Sequence, residues 1–222
     1  MLIIFALVMS TISTKDKRLK HKEDLRKKIL EVAKALFLKH GYDAVSIRKI
    51  AEKIAISPTT IYLYYKDKGD VIYALHQEGF KMLSAQFVVL ASVEEPFERL
   101  KAMGRSYIRF ALENPDFYEL MFIMRDPINF IDKDCSKEWE EGGQAFESLL
   151  NTVEDCKSHG YFSQIDLHHM ALYIWSTIHG MCSLKLQGHL DHVVKTNFPE
   201  AEKDLTLEGA FDTLVLILKS LK

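Results

Sequence analysis

Between Ser46 and Lys68 the sequence concentrates groups that bond anions and touch flat apolar edges: Arg48, Thr59, Thr60, Tyr62, Leu63, Tyr64 and Lys68. Hydroxyls can bond phosphates or base edges, an arginine can reach a guanine edge or a phosphate, and a threonine methyl or a leucine can touch a thymine methyl. Lys68 falls at the expected start of a helix, where free backbone N–H groups and the helix dipole already favour an anion. Other residue types carry less. His168, His169, His179, His189 and His192, with Cys156 or Cys182, could in principle hold a metal, but His189-x-x-His192 follows Gly188 in an expected loop and no CxxC occurs. GxGxxG, Walker A and HExxH patterns are absent, so neither an enzyme nor a resident cofactor is expected.

Those polar groups need elements to hold them. Leu25, Ile29, Val32, Ala33, Leu36 and Phe37 recur at helical spacing, predicting a helix from about 22 to 39 that Gly41 ends. Ser46 is placed to cap a short helix with Ile47, Ile50, Ala51 and Ile54 inward. Ser57-Pro58 caps and opens another, ending near Tyr65. Only about three residues join the two, so they must cross steeply over a small core of Ala51, Ile54, Ile56 and Ile61, covered by Leu36 and Phe37. With Ile61 inward, the opposite face of the second short helix is free to enter a major groove about 12 Å wide.

The remainder also reads as helix. Asp67 and Asp70 form a capping-box-like start for a helix toward Ala91. Pro96 opens one to Asn114, and Asn114-Pro115 caps the next, which Asp126-Pro127 is expected to break. Further helices are expected from Ser136 to His159-Gly160, from Asp166 to Gly188 and from Leu205 to Leu221. No stretch alternates with period two and no hairpin turn occurs. The fold class is therefore all-α, with about nine helices.

Charge divides the chain where the motif ends. The net charge of −2 hides fifteen Lys and Arg against seven Asp and Glu before Gly69, and fourteen against twenty-four after it, or +8 and −10. A basic third joined to an acidic body points to a module for a polyanion attached to something else. The odd count of three cysteines, Cys135, Cys156 and Cys182, points to a reducing cytoplasm rather than a disulfide framework. Residues 1–9 are apolar but too short to span a bilayer, and no signal-peptide cleavage pattern follows, so no membrane is expected. Met9 is read as the natural start, with residues 1–20 an extension expected to be disordered or to precede it. The domains expected are then a basic module over 21–68 and an acidic body over 69–222.

The run Ile29-Leu-Glu-Val-Ala-Lys-Ala-Leu-Phe37, then Gly41-Tyr42, Ser46-Ile-Arg-Lys-Ile-Ala51 and Ser57-Pro-Thr-Thr-Ile-Tyr-Leu-Tyr-Tyr-Lys-Asp-Lys68, closely resembles the DNA-binding domain of TetR-family transcriptional repressors. The resemblance implies that Tyr42 and Ser46 hold phosphates, and that Arg48 and the surface from Pro58 through Thr59, Thr60, Tyr62 and Leu63 to Tyr64 reads bases. It also implies that Tyr62 and Lys68 grip backbone at the groove edge. Thr59 stands where many members have glycine, and Tyr65 where many have phenylalanine.

In the acidic body, Tyr107, Phe110, Phe117, Tyr118, Phe122, Phe146 and Trp175 are among many aromatics, the composition of a bundle core that can also line an apolar pocket. Trp175 and His179 lie four apart on one helical face, where a core histidine packed under tryptophan competes with ligand contact. Trp175-Ser-Thr-Ile-His-Gly180 resembles the TetR C-terminal subfamily marked by Trp-x-x-x-His-Gly. Tyr107, Phe110, Phe122, Trp175 and His179 are the candidate ligand contacts. The segments 167–187 and 205–221 are apolar on more than one side, as expected of helices buried both in the body and in an isologous four-helix dimer interface.

These expectations combine into a homodimeric regulator on double-stranded DNA, most simply a repressor released from a roughly palindromic operator by a small apolar or aromatic effector. The alternative is an all-helical ligand-binding or enzymatic protein whose basic N-terminal module binds an anionic surface. Twofold symmetry places half-sites about 34–36 Å apart, or a multiple of that.

Overall fold

The computed structural model describes residues 2–133, 139–201 and 203–221. Among them are eleven α-helices and no strand. The expected helix start at Ser136 and the side chain of Cys135 lie outside the described residues.

The first helix, α1, runs from Leu2 to His40, well upstream of the expected start near 22. No glycine or proline occurs between those limits to stop it. Gly41 ends it in the left-handed region at φ 77°, where a side chain would be strained. Helix α2, Ile47–Lys53, is capped by the Ser46 hydroxyl, which accepts from Lys49 N at 3.3 Å. Helix α3, Pro58–Tyr62, is capped by Ser57, which accepts from Thr60 N at 3.1 Å, with Pro58 at the first helical position.

The turn between α2 and α3 closes by two carbonyl bonds: Ile56 N donates to Ala51 O at 3.0 Å and Ala55 N to Glu52 O at 3.1 Å. This Schellman pattern places Ala55 at φ 59°, a position glycine usually fills. Helix α4, Lys68–Leu90, starts where expected: Asp67 accepts from Asp70 N at 2.9 Å, and Asp70 returns a carboxylate oxygen to Lys66 N at 3.1 Å.

Helix α5 spans Pro96–Glu113 and α6 spans Pro115–Tyr118, followed by a π-helical turn at Glu119–Ile123. Two further helices replace expected irregular chain. Asp126-Pro127 does not end structure but opens α7, Asp126–Lys133, because proline in a first turn removes no helical hydrogen bond. The His189-x-x-His192 stretch is not a loop: Gly188, at φ 74°, turns the chain into α10, His189–Asn197. The others are α8 (Glu140–Ser158), α9 (Leu167–Leu186) and α11 (Leu207–Ser220), the last capped by Thr206.

The described chain forms two compact units. The first comprises residues up to His76 together with Met124–Cys135, and the second comprises Gln77–Ile123 and Ser136–Lys222. The core of the first consists of Ile29, Ala33 and Phe37 from α1, Ile50 and Ala51 from α2, Ile61 from α3, and Val71, Ile72 and Leu75 from α4, all buried. Ile56 is only half-buried. A Cβ at Gly69 would stand 2.2 Å from the half-buried Phe130 ring of α7, which would have to shift to admit it. The second unit packs α5, α8 and α9 together, with α11 laid on α9. Its buried residues include Phe110, Tyr118, Leu120, Ile174 and Leu214.

Candidate nucleic-acid interface and ligand cavity

In the first unit, Ile61 is wholly buried and the rest of α3 is turned outward. Thr59 is exposed, Tyr62 is 55% exposed and Leu63 is 74% exposed. A leucine so open on a helix whose one inward residue is an isoleucine indicates a face kept for contact rather than for the core. Arg48 is exposed on α2, while Pro58 and Tyr64 are half-buried. Ser46 and Thr60 are already engaged locally, Ser46 in its cap and Thr60 Oγ1 with Ser57 Oγ at 2.9 Å.

Lys68 does not simply project from the α4 terminus. Its Nζ donates to the Tyr42 carbonyl at 2.7 Å and lies 3.9 Å from the centroid of the Tyr42 ring. That ring in turn sits 5.5 Å from Phe37. Burial, then the negative charge of Asp67, raises the Tyr42 hydroxyl above its ordinary value, so it remains a protonated donor. Residues 42 and 68 therefore form one rigid corner. Nothing in a linear sequence pairs positions 26 apart, so this corner is visible only in the fold. Lys49 also went unnoticed; its Nζ donates to Ala44 O at 2.7 Å and ties the loop before α2 to that helix. Tyr65, buried, receives a bond from Arg26 Nε at 3.3 Å, which gives the extra hydroxyl of this position a partner.

The second unit contains a small cavity with an almost wholly apolar lining. Phe80, Leu83 and Phe87 of α4 form one wall, Leu100, Met103 and Tyr107 of α5 another, and Phe122, Phe146 and Trp175 contribute rings. This lining suits a small apolar group. Of the candidate ligand contacts, Tyr107, Phe122 and Trp175 line it. Phe110 is fully enclosed in the core, and His179 stands behind the wall.

His179 is tied to that wall by two tyrosines. Its Nδ1 lies 3.0 Å from the Tyr107 hydroxyl and 2.8 Å from that of Tyr118, and Tyr118 also donates to the His179 carbonyl at 2.9 Å. The Tyr118 and His179 rings stack with centroids 5.2 Å apart. Burial lowers the His179 pKa from its ordinary 6.5 and favours the neutral ring. Burial also raises both tyrosines, Tyr107 further through its neighbour Tyr118, while a hydrogen bond from Trp175 partly offsets this. Spacing alone could place Trp175 and His179 on one face; it could not supply Tyr107 and Tyr118 from other helices.

The two outer faces expected for dimerisation are open. Leu172, Tyr173 and Leu184 on α9, and Leu216 and Ile217 on α11, are 46–69% exposed. A Cβ at Gly180 would meet nothing within 4 Å. No cluster of three or more His, Cys, Asp or Glu occurs among the described residues. Nor, among them, is any helix long and apolar enough to cross a membrane.

A capped pair of short helices joined by a tight turn, with the outer face of the second exposed, defines the first unit as a helix-turn-helix domain. Residues 29–75 match the family described as bacterial regulatory proteins, tetR family, and residues 100–202 match the tetracyclin repressor-like C-terminal domain. The chain belongs to the TetR family of transcriptional regulators.

Among its relatives, the HTH-type transcriptional repressor KstR of Mycolicibacterium smegmatis is 27% identical over 126 residues, 56% of this chain and 60% of that one. The chain spans about half the length of the curated relatives it matches. Among solved structures, the fatty acid degradation regulator FadR of Bacillus halodurans shares the fold with a TM-score of 0.64 at 18% identity, over 87% of this chain and 93% of that one. The TetR family transcriptional regulator PfmR of Thermus thermophilus does so with a TM-score of 0.61 at 21% identity, over 87% and 98%.

Proposed function

We propose that this chain acts as a homodimeric repressor, released from a roughly palindromic operator when a small apolar or aromatic molecule enters the cavity of the second unit. The observation that carries this reading is the aromatic-walled cavity in a chain whose other unit is a helix-turn-helix domain. The open faces of α9 and α11 support dimerisation, since exposed leucines and a tyrosine on adjoining helices call for a partner surface. Val88 and Val89 are also exposed, but on α4, away from that pair of helices in sequence.

Covalent continuity supports the coupling. Helix α4 supplies Phe80, Leu83 and Phe87 to the cavity, and its first turns belong to the DNA-binding unit. Phe122 lines the cavity within the π-helical turn, and the chain enters α7 a few residues later. The α7 residue Phe130 sits 6.1 Å from Tyr73 and against Gly69. A ligand that parts Phe80 and Phe122 thus displaces both connections. Release requires only that the ligand favour the non-binding state by ~1–3 kcal/mol.

The test is a duplex selected from a random pool by the protein itself, followed by a screen for apolar compounds that dissociate it. A compound that releases DNA and loses its effect in Ala145→Phe, which fills the cavity, supports the reading. Release that persists unchanged in that variant, with folding intact, overturns the assignment of the cavity.

A further inference from the structure

Upstream of the matched segment, which begins at Ile29, α1 continues beside the recognition helix. Lys17, Arg18, His21 and Lys22 line an open groove together with Leu63 and Tyr64. Lys22 Nζ lies 5.9 Å from the Tyr64 ring centroid, so α1 meets the chain just after the end of α3. At 100° per residue, Lys17, His21, Leu25, Arg18, Ile29 and Lys22 fall within one arc of about 140°. Leu25 and Ile29 use this arc to pack on the helix-turn-helix core, Ile29 being wholly buried.

One or two turns earlier the same arc has no core to cover, and its residues are all basic. Asp16 and Glu23 fall on the opposite side of the helix, and Asp24 borders the arc one turn from His21, so Lys17, Arg18 and Lys22 leave the face net positive. A rise of 1.5 Å per residue carries Lys17 about 12 Å beyond Leu25, about one major-groove width past the module's own core.

We infer that this upstream end of α1 is a second DNA-binding surface, a cationic groove that takes the sugar–phosphate backbone flanking the bases read by α3. Three features select DNA as its occupant. The charge is net positive, it adjoins the exposed Leu63 at the end of the recognition helix, and long basic side chains meet phosphates without reading sequence. Because it is backbone contact, this surface lengthens the footprint and steepens the salt dependence but leaves base preference unchanged. The inference rests on the DNA-binding assignment of the first unit and adds to it a set of contacts outside the matched family segment.

The experiment compares two charge-matched doubles of the full chain, Lys17→Gln with Lys22→Gln in the groove, and Lys20→Gln with Lys27→Gln outside it. Each is titrated against a selected duplex trimmed to its motif and against the same duplex extended by about ten base pairs, one helical turn, on each side. The expected result is that the groove double loses about tenfold on the extended duplex and little on the trimmed one. Its salt slope should fall by about 0.9 for each phosphate contact removed. The outer double stays near the parent on both, and arginine at 17 and 22 restores the groove variant.

Equal losses in the two doubles, or a groove double indistinguishable from the parent on the extended duplex, overturns the inference while leaving operator binding in place. A protein that binds no duplex at all fails the family reading instead. If the groove double loses affinity for phosphatidylglycerol vesicles and none for DNA, the surface serves a membrane and the inference is likewise wrong. Circular dichroism melting of each variant separates lost contacts from lost folding.

Discussion

Lys68 holds Tyr42 from two directions, its ammonium 3.9 Å from the ring centroid and donating at 2.7 Å to the same residue's carbonyl. The lysine that opens α4 therefore acts first as a positioning residue for the loop after α1. A cation so placed contributes about 0.5–2 kcal/mol to holding that ring.

Two substitutions separate positioning from direct phosphate contact. Tyr42→Phe keeps the ring under Lys68 and removes only the hydroxyl donor, so operator affinity should fall by about 0.5–1.5 kcal/mol. Lys68→Ala removes the clamp and the charge together and should cost more, with the α-helical signal and oligomeric state unchanged. Equal effects in a gel-retardation or anisotropy titration would show that Lys68 does not act through Tyr42.

Ala55 occupies the left-handed region at φ 59° in the turn between α2 and α3. A left-handed conformation costs a residue with a Cβ about 1–2 kcal/mol, against roughly 0.5–1 kcal/mol of extra unfolded-state entropy for glycine. Ala55→Gly should therefore stabilise the DNA-binding unit by up to about 1 kcal/mol, read as a rise in denaturant midpoint. Ala55→Val should lower it.

Acid should weaken the second unit through His179. Its folded pKa lies below the ordinary 6.5, so between those values the unfolded chain binds more protons. The stability contributed by the neutral ring is fully present above about 6.5 and declines as the pH falls below it. His179→Gln should flatten this part of the stability profile in urea melts between pH 7.5 and about 5. An unchanged profile would place the titration elsewhere.

Gly180 offers a sharp test of the dimer. Open space surrounds its Cβ position within the chain, so Gly180→Leu should leave a protomer's own packing intact. The same leucine, projecting between paired α9 helices, should shift sedimentation from dimer to monomer and weaken operator binding. Leu216→Glu on α11 should act the same way. If Gly180→Leu remains a dimer in analytical ultracentrifugation, another face mediates assembly.

Burial pushes the Cys156 and Cys182 thiols up to about 12, leaving almost no thiolate near neutrality. Neither should be alkylated by iodoacetamide at pH 8 in the folded protein, and both should react after denaturation. Peptide mapping by mass spectrometry reads this directly.

Local chemistry was legible in the linear chain wherever a signal spans one turn of helix. Ser46, Ser57 with Pro58, and Asp67 with Asp70 cap the helices expected of them, because a capping bond reaches only three residues. On α9, Met170, Ala171, Ile174, Ile178 and Cys182 recur at helical spacing and are buried, while Leu167 at the start of the same face is half-buried. Asp126-Pro127 and His189 misled for a related reason. Proline and glycine mark a boundary in sequence without saying on which side the helix lies, and here each stands at a beginning.

What the sequence by itself determined is the class and the division of labour. Short-range periodicity and caps specify an all-helical chain, and the charge reversal at Lys68 separates a basic DNA-binding module from an acidic body. Only the tertiary structure decided which distant groups meet: Lys68 with Tyr42, His179 with Tyr107 and Tyr118, Phe130 with Gly69, and Lys22 with Tyr64. Helical periodicity encodes the direction a side chain faces but not what lies opposite. That partner is chosen by the packing of helices brought together across the fold.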